Sequence, residues 1–130
     1  MVLPNIHVAA RARLLALLCA LFPSLCEARE PWEFTDYALT SAALASLVVD
    51  WGQTRHIAKN PSRFDEKNRI LGTTPSVGKV DAYFLGAMLG TVAVAHLLPQ
   101  DMRRLFLAGT LSMELSVIDQ NRSIGIKVDF

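Results

Sequence analysis

Side chains able to hold a cation or a proton gather at Asp50, Gln53, Thr54 and His56. On a helix, where residues turn by about 100° each, Asp50 shares a face with Gln53 and Thr54. The same face extended backward takes in Leu47, Ala43, Thr40 and Asp36. Further along, Asp65 and Glu66 open the string Asp65-Glu-Lys-Asn-Arg-Ile-Leu-Gly72, which includes Asn68. Oxygen ligands suit a hard cation. Asp50, Asp65 and Glu66 together therefore outline one chemistry, a metal-dependent hydrolase at a membrane interface. The pattern favours a plainer reading, a solvated helix end that caps its own carbonyls followed by a solvated loop of alternating charge.

The motifs that would sharpen an enzymatic reading are missing. There is no Asp-x-Asp-x-Asp-Gly loop, no His-Glu-x-x-His, no Gly-x-Ser-x-Gly, no P-loop and no Gly-x-Gly-x-x-Gly. His7, His56 and His96 belong to three different regions, and Cys19 and Cys26 both lie in the first apolar run. No zinc site, disulfide framework or other cofactor is expected from them.

Glu114 stands inside an apolar stretch. A carboxylate at the centre of a membrane helix costs roughly 2.5–3.5 kcal/mol, so it turns toward protein or water. A hairpin folded near residues 101–102 sets Glu114 level with residues 89–91, where Gly90 leaves space and Thr91 offers a hydroxyl. The expectation is a hydrogen-bonded packing group, and the sharper alternative is an ion- or proton-responsive site. Gly86-x-x-x-Gly90 allows close backbone approach. Either the neighbouring hairpin helix or a second copy of the chain could fill that face, so a homo-oligomer through Gly86 and Gly90 is one expectation.

Three apolar helices are predicted to carry these residues, over about 36–51, 81–99 and 104–119. Trp32 and Trp51 bracket the first, and nineteen helical steps between them span about 28 Å, close to the hydrocarbon thickness of a bilayer. Residues 82–98 contain one ionisable group, His96. The short 99–103 link makes the last two helices an antiparallel hairpin. Residues 52–79 form the long connection, rich in turn formers. The tail alternates apolar residues at 124, 126, 128 and 130, as an extended segment would.

The 130 residues are 52% hydrophobic and 19% charged, with net charge +1 and mean hydropathy +0.30. Disorder is excluded, and the charge implies no attraction to nucleic acid. At the N-terminus, Arg11 and Arg13 precede the apolar run 14–26, which is broken by Pro23 and followed by Cys26-Glu-Ala28. This is the pattern of a signal peptide over 1–28, cleaved after Ala28. Uncleaved, the segment is a first membrane helix. Residues 29–130 are then a helical membrane domain. Ten basic residues fall on the side of the N-terminus, long connection and tail, against Arg29, Arg103 and Arg104 opposite. The positive-inside rule sets the connection and C-terminus in the cytoplasm.

The string Asp50-Trp-Gly-Gln-Thr-Arg-His-Ile-Ala58, followed by Glu66-x-Asn68-x-Ile70-Leu-Gly72, Pro75-Ser76 and Asp81-x-Tyr83-Phe84, resembles a family of small polytopic membrane proteins of tailed phages and bacteria. The similarity spans roughly residues 35–130. Arg69 stands where such proteins often have Pro. The resemblance implies a phage or prophage setting and brings no activity with it.

The fold expected is all-α, a small helical membrane protein of three apolar helices after an N-terminal signal, or four spans if the signal stays. Its place is the bacterial inner membrane, its partner the lipid bilayer, and its role structural or interaction-based. The alternatives are the metal-dependent hydrolase, an exported soluble helical bundle, and a phage lysis or exclusion factor that self-associates.

Overall fold

The computed structural model describes residues 30–130. The expected signal segment, with Cys19 and Cys26, lies outside the described residues. Three helices follow one another: α1 (Phe34–Lys59), α2 (Val77–Leu97) and α3 (Gln100–Ser123). No strand occurs among the described residues. At 1.5 Å per residue the helices are about 39, 32 and 36 Å long.

Local chemistry sets their ends. The backbone N–H of Glu33 donates to Asp36 Oδ2 at 2.9 Å, tying off the start of α1. α1 runs eight residues past the predicted stop at Trp51. Its extra turns hold a buried Ile57 and end where Asn60 donates to the His56 carbonyl at 2.8 Å, just before Pro61. α2 starts four residues early because Ser76 caps it, accepting from the Lys79 N–H at 3.3 Å. Leu98 precedes a proline and is extended, so α2 stops there and Pro99 opens α3. α3 also reaches further than 119, to a turn at Gly125, whose φ of +86° suits glycine. The long connection is thereby shortened to residues 60–76.

α1 is the central element and packs against both other helices, while α2 and α3 touch each other least. Leu47, Leu71, Val80 and Phe84 form one apolar cluster, and Ala43, Ala95 and Leu107 another. The tail is extended, as its alternation predicts, and it is docked. The Asp129 N–H donates to the Gly52 carbonyl at 3.1 Å, and the Phe130 ring meets Trp51 edge-on at 5.6 Å. The tail lies so close that a Cβ on Gly52 would be 2.5 Å from Val128 Cγ1, and a larger residue there would have to displace it.

Of the three helices, only α2 is long and apolar enough to cross a membrane by length and composition. The all-α architecture stands, with the apolar criterion met by one helix rather than three. α1 carries Asp36, Asp50, Arg55 and Lys59, and α3 carries Asp101, Arg103, Arg104, Glu114, Asp119 and Arg122. Those groups are not spread at random. Asp36, Thr40, Ser46, Asp50, Gln53, Thr54, Thr91, Arg103 and Glu114 are buried between the helices. Leu85, Leu89, Leu105 and Leu115 point outward and are at least half exposed. The bundle buries polar groups beside its apolar clusters and turns large apolar side chains outward.

Candidate functional site

Polar side chains collect at three levels along the bundle. At the hairpin end, Arg103 joins all three helices. Its Nε donates to the Ala95 carbonyl at 3.0 Å and one terminal nitrogen to the Leu98 carbonyl at 3.2 Å, which caps α2. The other terminal nitrogen reaches Asp36 Oδ2 at 3.3 Å. Arg104 Nε donates to the second Asp36 oxygen at 3.1 Å and its terminal nitrogen to Glu33 at 2.7 Å. The guanidinium of Arg103 also lies 5.0 Å from the Trp32 ring centre, within cation–π range. Hydrogen bonds from Gln100 and Arg104 hold the Glu33 carboxyl below the ordinary glutamate range.

At the opposite end, Arg55 pairs with Asp81 at 2.5 and 2.6 Å, and the Trp51 indole donates to the same carboxylate at 2.7 Å. Lys59 holds the tail through Asp129 at 2.8 Å, with His56 at 3.7 Å from its other oxygen. The Lys59 hydrogen bond, assisted by its charge and by His56, keeps the Asp129 carboxyl below the ordinary aspartate range.

Between these ends α2 and α3 diverge and leave a cavity of about 460 Å³. Its polar wall includes Asp50, Thr54, Glu66, Asn68, Glu114 and Asn121, and its apolar wall includes Leu47, Phe84, Phe106 and Met113. The Asp50 and Glu114 carboxyls meet there. Asn121 Nδ2 bridges Asp50 Oδ1 at 3.3 Å and Gln53 Oε1 at 3.1 Å, and Gln53 in turn donates to the Ile118 carbonyl at 3.3 Å. Glu66 accepts from the Asn68 N–H at 2.7 Å through Oε1. Its Oε2 is buried without a hydrogen-bond partner, as is Oε2 of Glu114.

The sequence candidates therefore divide. Asp50, Thr54, Asp65, Glu66, Asn68, Thr91 and Glu114 all reach the cavity wall. Gln53 stands behind Asp50 through Asn121, and His56 faces the tail instead. Among the described residues, no three His, Cys, Asp or Glu side chains are grouped so as to hold a metal ion. Asp50, Asp65 and Glu66 share a wall without forming a ligand set. Glu114 is not seated against Gly90: a Cβ on Gly90, or on Gly86, would have no neighbour within 4 Å. The predicted register assumed a tight hairpin. The helices diverge, Thr91 donates to its own Ala87 carbonyl at 2.8 Å, and Glu114 turns to α1. The roles of Arg103, Asp81 and Asn121 were missed. Only Arg103 carried a signal, a cation one turn past a helix stop at Leu98-Pro99.

Comparisons with protein-family models, with curated proteins and with solved structures find no match to this chain.

Proposed function

We propose that the chain is a small integral protein of the bacterial inner membrane, with the long connection and tail on the cytoplasmic side and a structural or interaction role. The observation that carries this reading is that charged and polar side chains are buried between the helices while large apolar ones are exposed. In water, outward Leu89, Leu105 and Leu115 would form the kind of apolar surface that soluble proteins keep small. In lipid the same surface is solvated, and polar groups must find partners inside. Asp36, Arg103, Asp50 and Glu114 face inward accordingly.

The charged ends support the same reading. Asp36 and Arg55 are nineteen helical steps apart on α1, about 28 Å, which matches a hydrocarbon core of about 30 Å. On the hairpin side Arg103 and Arg104 are tied to Asp36 and Glu33. On the other side Arg63, Lys67 and Arg69 have no ion pair among the described residues, and they supply the positive bias that faces the cytoplasm. The phage or prophage setting rests on the motif string in residues 50–84, and genomic neighbours encoding phage proteins are its check.

A reporter active only outside the cytoplasm should work when fused after Pro99 and fail within residues 60–76. The chain should also stay in the pellet after an alkaline wash of membranes. The reverse reporter pattern overturns the orientation. Recovery of the chain in the soluble periplasmic fraction overturns the membrane reading in favour of an exported bundle.

A further inference from the structure

From the cavity between α2 and α3 we infer a binding site for an organic ammonium ion, a protonated primary amine on an apolar body. Glu114 is 7% exposed, yet one of its carboxyl oxygens is buried at the cavity without a hydrogen-bond partner. A buried acceptor left without a donor is costly, so its retention calls for an explanation. The Asp50 carboxyl meets Glu114, and Glu66 contributes a second unpartnered oxygen to the same lining. Among the described residues, no lysine or arginine forms an ion pair with Asp50, Glu66 or Glu114. Two carboxyls that each keep a free buried oxygen and have no ion-paired cation among the described residues are complementary to a donor that is positively charged.

The remaining wall selects among cations. About 460 Å³ is far more than a bare metal ion fills, and no metal ligand set is formed among the described residues. Phe84, Phe106, Leu47 and Met113 offer apolar contact to the body of the ligand. A primary ammonium can donate one N–H to the unpartnered Glu114 oxygen and keeps two more for other acceptors of the lining. An apolar body with one such head satisfies both kinds of wall, as small-molecule sites generally require. The exposed Lys67 also lines the cavity and is, among the described residues, the one basic side chain of that lining, able to compete for the same oxygens. The site lies within one chain, so the inference is independent of where the protein resides.

The test uses the purified full chain and three probes of one shape: 2-phenylethylammonium, 2-phenylethanol and 3-phenylpropanoate. Titration calorimetry should show the ammonium binding at least about tenfold more tightly than the alcohol, and no binding of the carboxylate. Glu114→Gln keeps the side-chain shape and should weaken the ammonium at least about tenfold while leaving the alcohol unchanged. Lys67→Ala should leave the ammonium as tight or tighter. Should Glu114→Gln fail to fold, the probe series on the parent chain still decides. Equal binding of ammonium and alcohol would make the cavity a merely apolar pocket and overturn the inference. So would the absence of ammonium binding, or an ammonium affinity unchanged in a folded Glu114→Gln protein.

Discussion

Arg103→Met tests the junction at the hairpin end. Methionine keeps an unbranched stem and removes the guanidinium. In the parent, Arg103 and Asp36 are 1% and 0% exposed, so neither has water to fall back on. The substitution breaks a buried ion pair from one side, which costs about 3–5 kcal/mol because the remaining charge is stranded. Two things move the expected value in opposite directions. Arg104 still donates to Asp36 at 3.1 Å, which keeps the carboxylate partly compensated. The Ala95 and Leu98 carbonyls each lose a donor, at about 1 kcal/mol apiece where water cannot replace it. A loss near 4 kcal/mol is expected, read from denaturant titration of the purified chain. Asp36→Leu should be similarly harmful, and the double variant should be less harmful than the sum by about 1–3 kcal/mol. Arg104→Met, on a partly exposed side chain, should cost under about 1 kcal/mol. An Arg103→Met protein within about 0.5 kcal/mol of the parent, or strict additivity in the double variant, would refute a three-helix role for this side chain.

Two further outcomes concern the docked tail. Gly52→Ala places a Cβ 2.5 Å from Val128 Cγ1 and 2.9 Å from the Phe130 ring, so the tail must move. Alanine also favours the helix over glycine by about 1 kcal/mol, so global stability should change little while carboxypeptidase digestion of the tail speeds up markedly. Unchanged digestion would contradict the close packing. Acid should release the tail as well. The Asp129 carboxyl is held below the ordinary aspartate range by Lys59, so its contribution is complete above about pH 4 and is lost as the pH falls through its lowered value. In a Trp32→Phe chain, Trp51 fluorescence, which reports the Phe130 contact, should therefore be flat from pH 7 to about pH 4.5 and change only below that. A transition near neutral pH would assign the docking to another group.

Much of this arrangement can be read from the residues, and the remainder fails for identifiable reasons. The buried face of α1 is visible as a helical stripe, since Asp36, Thr40, Ala43, Leu47, Asp50 and Thr54 recur at the right angles and all are buried. The turn between α2 and α3 is marked by Leu98-Pro99. Helix ends were less legible, because the extension of α1 through Gly52 depends on a tail that follows some seventy residues later and covers it. The Glu114 register failed for a related reason. Counting residues back from a turn assumes parallel neighbours, and α2 and α3 diverge because α1 takes most of their packing. Asn121, which links Asp50 to Gln53, sits 71 residues from one and 68 from the other, and no local pattern announces such a bridge.

The Arg103–Asp36 link also bears on the order in which the chain can assemble. The two residues are 67 positions apart, so Asp36 is synthesised long before its guanidinium exists. In the proposed membrane setting α1 would until then carry a carboxylate at one end and Asp50 further along, with neither partner helix to receive them. α2 is under no such constraint, being long and apolar enough to cross a membrane by length and composition. α3 brings both missing groups, Arg103 for Asp36 and Glu114 with Asn121 for Asp50. On the membrane reading proposed above, commitment to the bilayer would run from the middle outward: the second helix would enter first, and the first and third would be retained together once the hairpin is made. On that reading, retention of the first and third helices is a single cooperative event that waits for the hairpin.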